Sequence, residues 1–499
     1  MVIAGHRLLR TSLAAILWVA LAAAPPLPGQ NDAPFTGVGD MVHVRGYHTA
    51  TLLFDGRVLI AGGGVEQAEL YDPATATFSP TGSLPQGHRS ESAALLPNGK
   101  VLILGRNRLG SSTANLYDPA TGMFSPTGIP QQQMGKTTLL PNGKVMLNGG
   151  YAKAPIARAE LYDTATGNFS YAGEYVVPFS APNLNPNEGY GGAGTALLAN
   201  GKVLIASWPS IEVYDPFTDS FSLGGAMLGG RSILGYGGNT AMYGRTATLL
   251  PDGRMLLAGG TVLSWGDDWG QSLDAEVYDP ASDESLATQS MWAARLFHQS
   301  VLLPDGKVFI AGGVLDPFNV VSTAFTELYD PLLDIFGTAG NMTVPRAGSV
   351  TLLNDGSVLL TGGEIPTLYP GELKGRTAEV YRPPQAVPPP VMLTVTVNGQ
   401  DTAAIQHADY QMVSASNPVT AGEYLLLYVT GLAEGSVIPP QVVFGGEMAE
   451  VTYFGNHALY PGLGQINIRV PAGIAAGDAA PIRLLYRGRI SNEVTVPVR

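Results

Sequence analysis

The sequence predicts an all-β chain, a seven-bladed β-propeller closed by its own N-terminal strand and followed by a small β-sandwich. Three observations carry this. Gly and Pro number 63 and 38 among 499 residues, a density of punctuation that long helices do not tolerate. An apolar segment, an Asp-Gly or Asn-Gly pair and a second apolar segment recur seven times, 43 to 58 residues apart. Residues near the N-terminus supply the one strand that the seventh copy lacks.

In chain order, residues 1–30 come first. Arg7 and Arg10 precede the uncharged stretch Leu13 to Ala24, and Pro25, Pro26 and Pro28 follow it. This pattern reads as a signal peptide, because the stretch is shorter than the roughly 20 residues a spanning helix needs. The expected product is a secreted protein, extracellular or periplasmic, with no membrane span after cleavage. Its 27 basic and 40 acidic residues give a formal charge of −13, the wrong sign for a phosphate backbone, so nucleic acid is not an expected partner. There is no cysteine. That excludes disulfides, thiolate metal sites and a Cys nucleophile.

Residues 31–383 hold the repeats. The turn pairs are Asp55-Gly56, Asn98-Gly99, Asn142-Gly143, Asn200-Gly201, Asp252-Gly253, Asp305-Gly306 and Asp355-Gly356. Each is expected to close a two-residue type I′ hairpin between a first and a second strand. The second strand is apolar throughout, as in Val58-Leu59-Ile60 and Val308-Phe309-Ile310, which suits a strand covered on both faces. Gly-Gly follows in five copies. A third strand then carries a Tyr, from Tyr71 to Tyr381, and in five copies a Phe seven residues later starts a fourth, as at Phe78 and Phe336. Four strands per fifty-residue copy describe a propeller blade. With its Gly-Gly pair, spaced Tyr and later aromatic, the repeat resembles the kelch motif, as in the central domain of galactose oxidase.

The seventh copy runs into prolines after Tyr381. Phe35, Gly39, Met41 and Arg45 match Phe336, Gly340, Met342 and Arg346 at the same offsets, so the N-terminal segment is expected to complete the last blade and remove two sheet edges. Residues 384–390 form a Pro-rich linker. Residues 391–499 alternate apolar runs with turns and predict a small β-sandwich. Val442-Val443-Phe444-Gly445-Gly446 and the run Gly464 to Pro471 give it a resemblance to an Ig-like module of exported bacterial proteins.

The longer connections, at residues 151–158, 261–274, 314–325, 364–377, 172–194 and 223–245, all fall between second and third strands or between blades, hence on one end of the propeller. A rigid scaffold with variable loops at one end builds a binding face. Counting back from the turn pairs brings Arg45, Arg89, Arg295 and Arg346, His48 and His298, and the repeat-breaking Glu91, Tyr190, Tyr243 and Arg245 to that rim. Arginine forks and tyrosine hydroxyls suit carboxylates or sugar hydroxyls; equally, the recurring arginines could pair with third-strand glutamates such as Glu69, Glu327 and Glu379. Trp265 and Trp269, beside Asp267 and Asp268, add aromatic platforms.

The resemblance to galactose oxidase implies copper-radical chemistry through a Cys-linked Tyr. No Cys is present and the seven His form no tight cluster in sequence, so that chemistry is not expected, nor is any cofactor or metal. The sequence favours a secreted, monomeric binding module for a glycan or another polyhydroxylated or acidic ligand, or for a protein. A non-redox carbohydrate-active enzyme and a structural or adhesive part remain alternatives, and whether the chain is an enzyme stays open.

Overall fold

The computed structural model describes residues 34–499 except 47, 86–87, 108, 132–134, 149–155, 180–193, 208–209, 229–244, 264–268, 317–320, 364–374, 398–399 and 458. Every regular element of length among the described residues is a β-strand. Two units are present, one ending at Pro383 and the other beginning at Pro384.

The first unit is seven four-stranded antiparallel sheets. Blade 1 runs His48–Leu52, Val58–Gly62, Gln67–Asp72 and Thr77–Ser83. Blades 2 to 6 repeat this order along the chain. Blade 7 takes Ser349–Leu352, Val358–Thr361 and Ala378–Tyr381 from one end of the unit and Phe35–Gly37 from the other. In that pairing Phe35 lies opposite Tyr381 and Gly37 opposite Glu379. The Phe35 ring sits 5.2 Å from Tyr381, as Phe336 sits 5.0 Å from Tyr329 within blade 6, so the borrowed strand reproduces the ordinary contact.

The core lies between blades. Leu59, Ala61 and Leu70 of blade 1 pack on Val101, Ile103 and Tyr117 of blade 2, while Val58, Ile60 and Tyr71 pack on Leu359 and Val380 of blade 7. Alternate residues of each second strand thus face opposite neighbours, which is why these strands are apolar on both faces. The seven first strands touch one another in a closed circle, the last meeting the first. They are only half-buried and border the central lumen.

The hairpin turns differ from expectation. Only the glycine of each pair has positive φ, for example +84° at Gly56, and Asp55 does not. Gly56 N–H donates to Leu53 O at 2.9 Å and Leu53 N–H to Arg57 O at 2.8 Å. This is a type I turn followed by a left-handed Gly, the three-residue hairpin. The Asp or Asn is there for its side chain, which accepts the N–H two residues on, as Asp55 does from Arg57 and Asn142 from Lys144.

In the second unit, Tyr424–Thr430 pairs with Gly464–Arg469. Glu447–Asn456 pairs with that strand and also with Gln441–Phe444, so it passes from one sheet to the other. Leu425, Leu427, Phe444, Ile466, Ile482 and Leu484 fill the space between the sheets.

Candidate functional site

Third-strand glutamates govern the insertion-bearing end of the propeller. Glu69, Glu160, Glu212, Glu276, Glu327 and Glu379 are all buried. Each accepts a backbone N–H from the segment entering its own blade: Val42, Gln131, Val176, Leu228, Trp292 and Thr343, at 2.6 to 3.0 Å. A carboxylate that collects such donors fixes the connection between neighbouring blades.

In four blades an arginine completes this arrangement. Arg45 Nε lies 2.8 Å from Glu69, Arg295 Nη2 2.7 Å from Glu327 and Arg346 Nη2 2.8 Å from Glu379. Their remaining donors go to backbone oxygens, Gly62 and Gln67 for Arg45, Gly312 and Phe325 for Arg295, Thr377 for Arg346. Burial lowers all three guanidinium groups from their usual value and the paired glutamate opposes it. Arg245, expected to break the repeat and meet a ligand, instead lies 2.5 Å from Glu276 and donates to Gly259 O. These four arginines are internally satisfied and almost wholly buried, so they belong to the frame and not to a ligand rim. Arg45, Arg295 and Arg346 therefore follow the pairing alternative, and Arg245 joins them by correction.

His48 and His298 occupy equivalent places. Nε2 of His48 is 2.9 Å from Thr361 Oγ1 in blade 7, and Nε2 of His298 is 2.9 Å from Thr246 Oγ1 in blade 5. Each imidazole rests on the first glycine of the preceding blade's Gly-Gly pair: a Cβ on Gly362 would stand 2.7 Å from His48 Cε1, and one on Gly259 2.6 Å from His298 Cε1. Burial, with Arg45 and Arg346 around His48 and Arg295 and Arg245 around His298, holds both down at about 3. They are neutral spacers between blades, not ligand contacts.

Of the other expected site residues, Tyr190, Tyr243 and Trp265 lie outside the described residues. For Arg89, Glu91 and Trp269 the backbone alone is described. Arg89 pairs with Arg106, Glu91 falls at a register shift between Ser90 and Ser92, and Trp269 lies opposite Leu263 in a short added hairpin. Most of the expected long connections lie outside the described residues too.

The feature that stands apart is in blade 3. Lys136 opens the first strand, Lys136–Leu139, and lies opposite Asn148 at the end of the second, Val145–Asn148. The equivalent opposed pairs elsewhere are Thr49 with Ala61, Ser92 with Leu104, Gly194 with Ala206, Thr246 with Ala258, Gln299 with Ala311 and Ser349 with Thr361. Directly opposed residues share a face of the sheet, so an ammonium and a carboxamide here stand where the other blades carry uncharged residues. Lys136 is exposed to solvent, yet desolvation by the surrounding protein lowers its pKa, with no carboxylate opposing it. Asn148 is 1% exposed. Its Oδ1 accepts from Thr195 Oγ1 of blade 4 at 3.1 Å, while its Nδ2 meets no acceptor. The carboxamide of Asn148 is thus held in the contact between blades 3 and 4, closed to solvent.

Both residues could have been found in the sequence. Lys136 lies six residues before Asn142 and Asn148 six after, and Lys136 is the one charged residue in its column. Counting at seven and at nine or ten residues passed them over.

No family model and no curated protein matches the sequence. Among solved structures, the chain is similar to a fungal alcohol oxidase of the AA5 family in complex with copper, at 16% identity and a TM-score of 0.58, covering 93% of this chain and 98% of that one. A copper centre of that family's kind does not fit the residues present. No Cys exists to modify a Tyr, and among the described residues the two buried His, His48 and His298, stand in different blades, each bonded to a Thr and flanked by two guanidinium groups that would repel a cation. Among the described residues no group of three or more His, Asp or Glu could hold a metal ion. The binding-module expectation is corrected here: the structure matched along nearly the whole chain is that of an enzyme, and the arginines meant for a glycan or acid are already spent on glutamates. What is established is the fold, an all-β seven-bladed propeller with a following β-sandwich, shared with a copper alcohol oxidase.

Proposed function

We propose that the chain is an enzyme acting on the hydroxyl or carbonyl group of a small molecule in the propeller lumen, with Lys136 as the group that moves the proton. One observation carries this reading: a lysine on a first strand bordering the lumen, opposite Asn148 and with no carboxylate partner among the described residues, whose pKa is lowered by desolvation. A lysine whose ammonium is made less stable is a better base near neutral pH. It can take a proton from a hydroxyl or from the carbon beside a carbonyl. The likeness to an alcohol oxidase supports an enzymatic use of this scaffold. The Gly-Gly pairs, spaced Tyr and following Phe support assigning the blades to the kelch type, and the strand pattern of residues 391–499 supports an Ig-like module. Residues 1–30, outside the described residues, support export.

The test is a turnover screen over small alcohols, hydroxy acids, aldehydes and sugars, with and without added copper, on the full chain and on Lys136→Met. The expected outcome is turnover of at least one class that falls by about 100-fold or more in the variant, with an unchanged urea midpoint. Turnover that survives Lys136→Met, or none with any class, overturns the reading.

A further inference from the structure

We infer that the hairpin turns of blades 2, 3 and 4 are conditional modification sites: folding shields Asn98, Asn142 and Asn200 from deamidation, and a chain loses ammonia there once those turns have opened. This goes beyond the proposed function and does not involve Lys136.

Three of the seven turn pairs are Asn-Gly and the other four Asp-Gly. An Asn before Gly is prone to cyclise, because the following residue has no side chain to hinder attack by its backbone nitrogen. Asn98, Asn142 and Asn200 are exposed, so burial does not protect them. The turn hydrogen bonds do. The nucleophile is the nitrogen of Gly99, Gly143 or Gly201, and each donates its N–H to the carbonyl oxygen of Leu96, Leu140 or Leu198 at 2.9 to 3.0 Å. The electrophile is Cγ of the Asn, whose Oδ1 accepts the N–H of Lys100, Lys144 or Lys202 at 3.1 to 3.2 Å. That second bond draws charge from Cγ, but the turn withholds the nucleophile. Two of the turns also lean on the adjoining blade. A Cβ on Gly99 would meet Phe54 of blade 1 at 3.4 Å, and one on Gly201 would meet Pro141 of blade 3 at 3.3 Å, so opening either turn disturbs two blades.

In an opened turn the Gly nitrogen gives up its proton and forms a bond to Asn Cγ. The bond from Cγ to the amide nitrogen breaks, and that nitrogen leaves as ammonia with the proton, passed through water. A succinimide ring remains. Water then cleaves one of its two C–N bonds, giving Asp if the side-chain carbonyl is released and isoaspartate if the main-chain carbonyl is. The sum is Asn plus water to Asp or isoaspartate plus ammonia, with no electrons gained or lost.

The two products suit the fold differently. Asp55, Asp252, Asp305 and Asp355 already accept the N–H two residues on, at 2.9 to 3.1 Å, so an Asp in blades 2 to 4 keeps the turn. Isoaspartate inserts a carbon into the main chain between the carbonyl and the N–H that close the turn, and breaks it.

The experiment ages the full chain at about pH 8 in buffer and in concentrated guanidinium chloride, and reads ammonia loss by peptide mapping. The expected result is deamidation at Asn98, Asn142 and Asn200 about tenfold or more slower in buffer; equal rates overturn the inference. Asn98→Asp, Asn142→Asp and Asn200→Asp together should leave the Tm within about 3 °C of wild type, and a larger fall overturns the claim that the fold accepts the Asp product. Chains aged in denaturant and then refolded should carry Asp at these positions in the folded fraction and be depleted of isoaspartate there. A folded fraction with both products in their original ratio overturns the claim that isoaspartate breaks the turn.

Discussion

Arg245 and Glu276 lie 2.5 Å apart in blade 5, and they form the counterpart of the Arg45–Glu69 pair in blade 1 although the arginine is displaced by three residues against the repeat. The pair does two jobs at once, because Glu276 also accepts the backbone N–H of Leu228. Removal of one partner from such a buried pair leaves an uncompensated charge. Glu276→Ala and Glu327→Ala are each expected to lose about 3–5 kcal/mol of stability, measured by urea unfolding.

Replacing both partners is a sharper measurement. Arg295→Met with Glu327→Leu removes both charges, yet the N–H groups of Trp292 and Ala293 lose their acceptor. The double variant is expected to recover part of the loss but to stay about 1–3 kcal/mol below wild type. Full recovery would show that the glutamate serves the arginine alone.

The buried histidines set an acid limit. His48 and His298 titrate near 3 in the folded chain against 6.5 for a free imidazole. Between those values the unfolded chain takes up protons that the folded chain refuses. Stability from this source is complete above pH 6.5 and drains away as the pH falls toward 3, at about 1.4 kcal/mol per histidine per pH unit. His48→Gln with His298→Gln should flatten the dependence of unfolding free energy on pH between 6 and 4. An unchanged slope would place the two imidazoles in water.

The glycines beneath those rings are equally constrained. Gly259 and Gly362 have φ of +64° and +57° and no room for a methyl group beside the imidazole. Gly259→Ala and Gly362→Ala are expected to cost about 1–3 kcal/mol each, while Gly337→Ala, with nothing within 4 Å, should leave the thermal midpoint nearly unchanged.

Much of the fold was legible because its signals are local and repeated. Turn pairs, apolar second strands and third-strand tyrosines mark every blade, and four matched residues around Phe35 disclosed the shared seventh blade. The turn type was misread, since Asp-Gly serves a type I turn and bulge as readily as a type I′ turn, and only φ at Asp55 separates them. The site was less legible for two reasons. Side-chain pairing is set by where chains end up, so Arg245 reached Glu276 from a shifted position that counting could not reveal. The setting of Lys136 depends on what folding brings beside it, Asn148 across the blade and Thr195 of the next blade bonded to that amide, a juxtaposition that no short window of sequence contains.

The pairing of Phe35 with Tyr381 also has a consequence for how the molecule comes into being. The two residues are separated by six complete blades, so the partner of the earliest strand is among the last parts of the propeller to be synthesised. Until then the first strand must wait unpaired, and the circle cannot be sealed blade by blade. Maturation of the propeller is therefore a late, all-or-none event governed by its most distant contact, and a chain cut short before Tyr381 leaves an open string of blades with no means of closing.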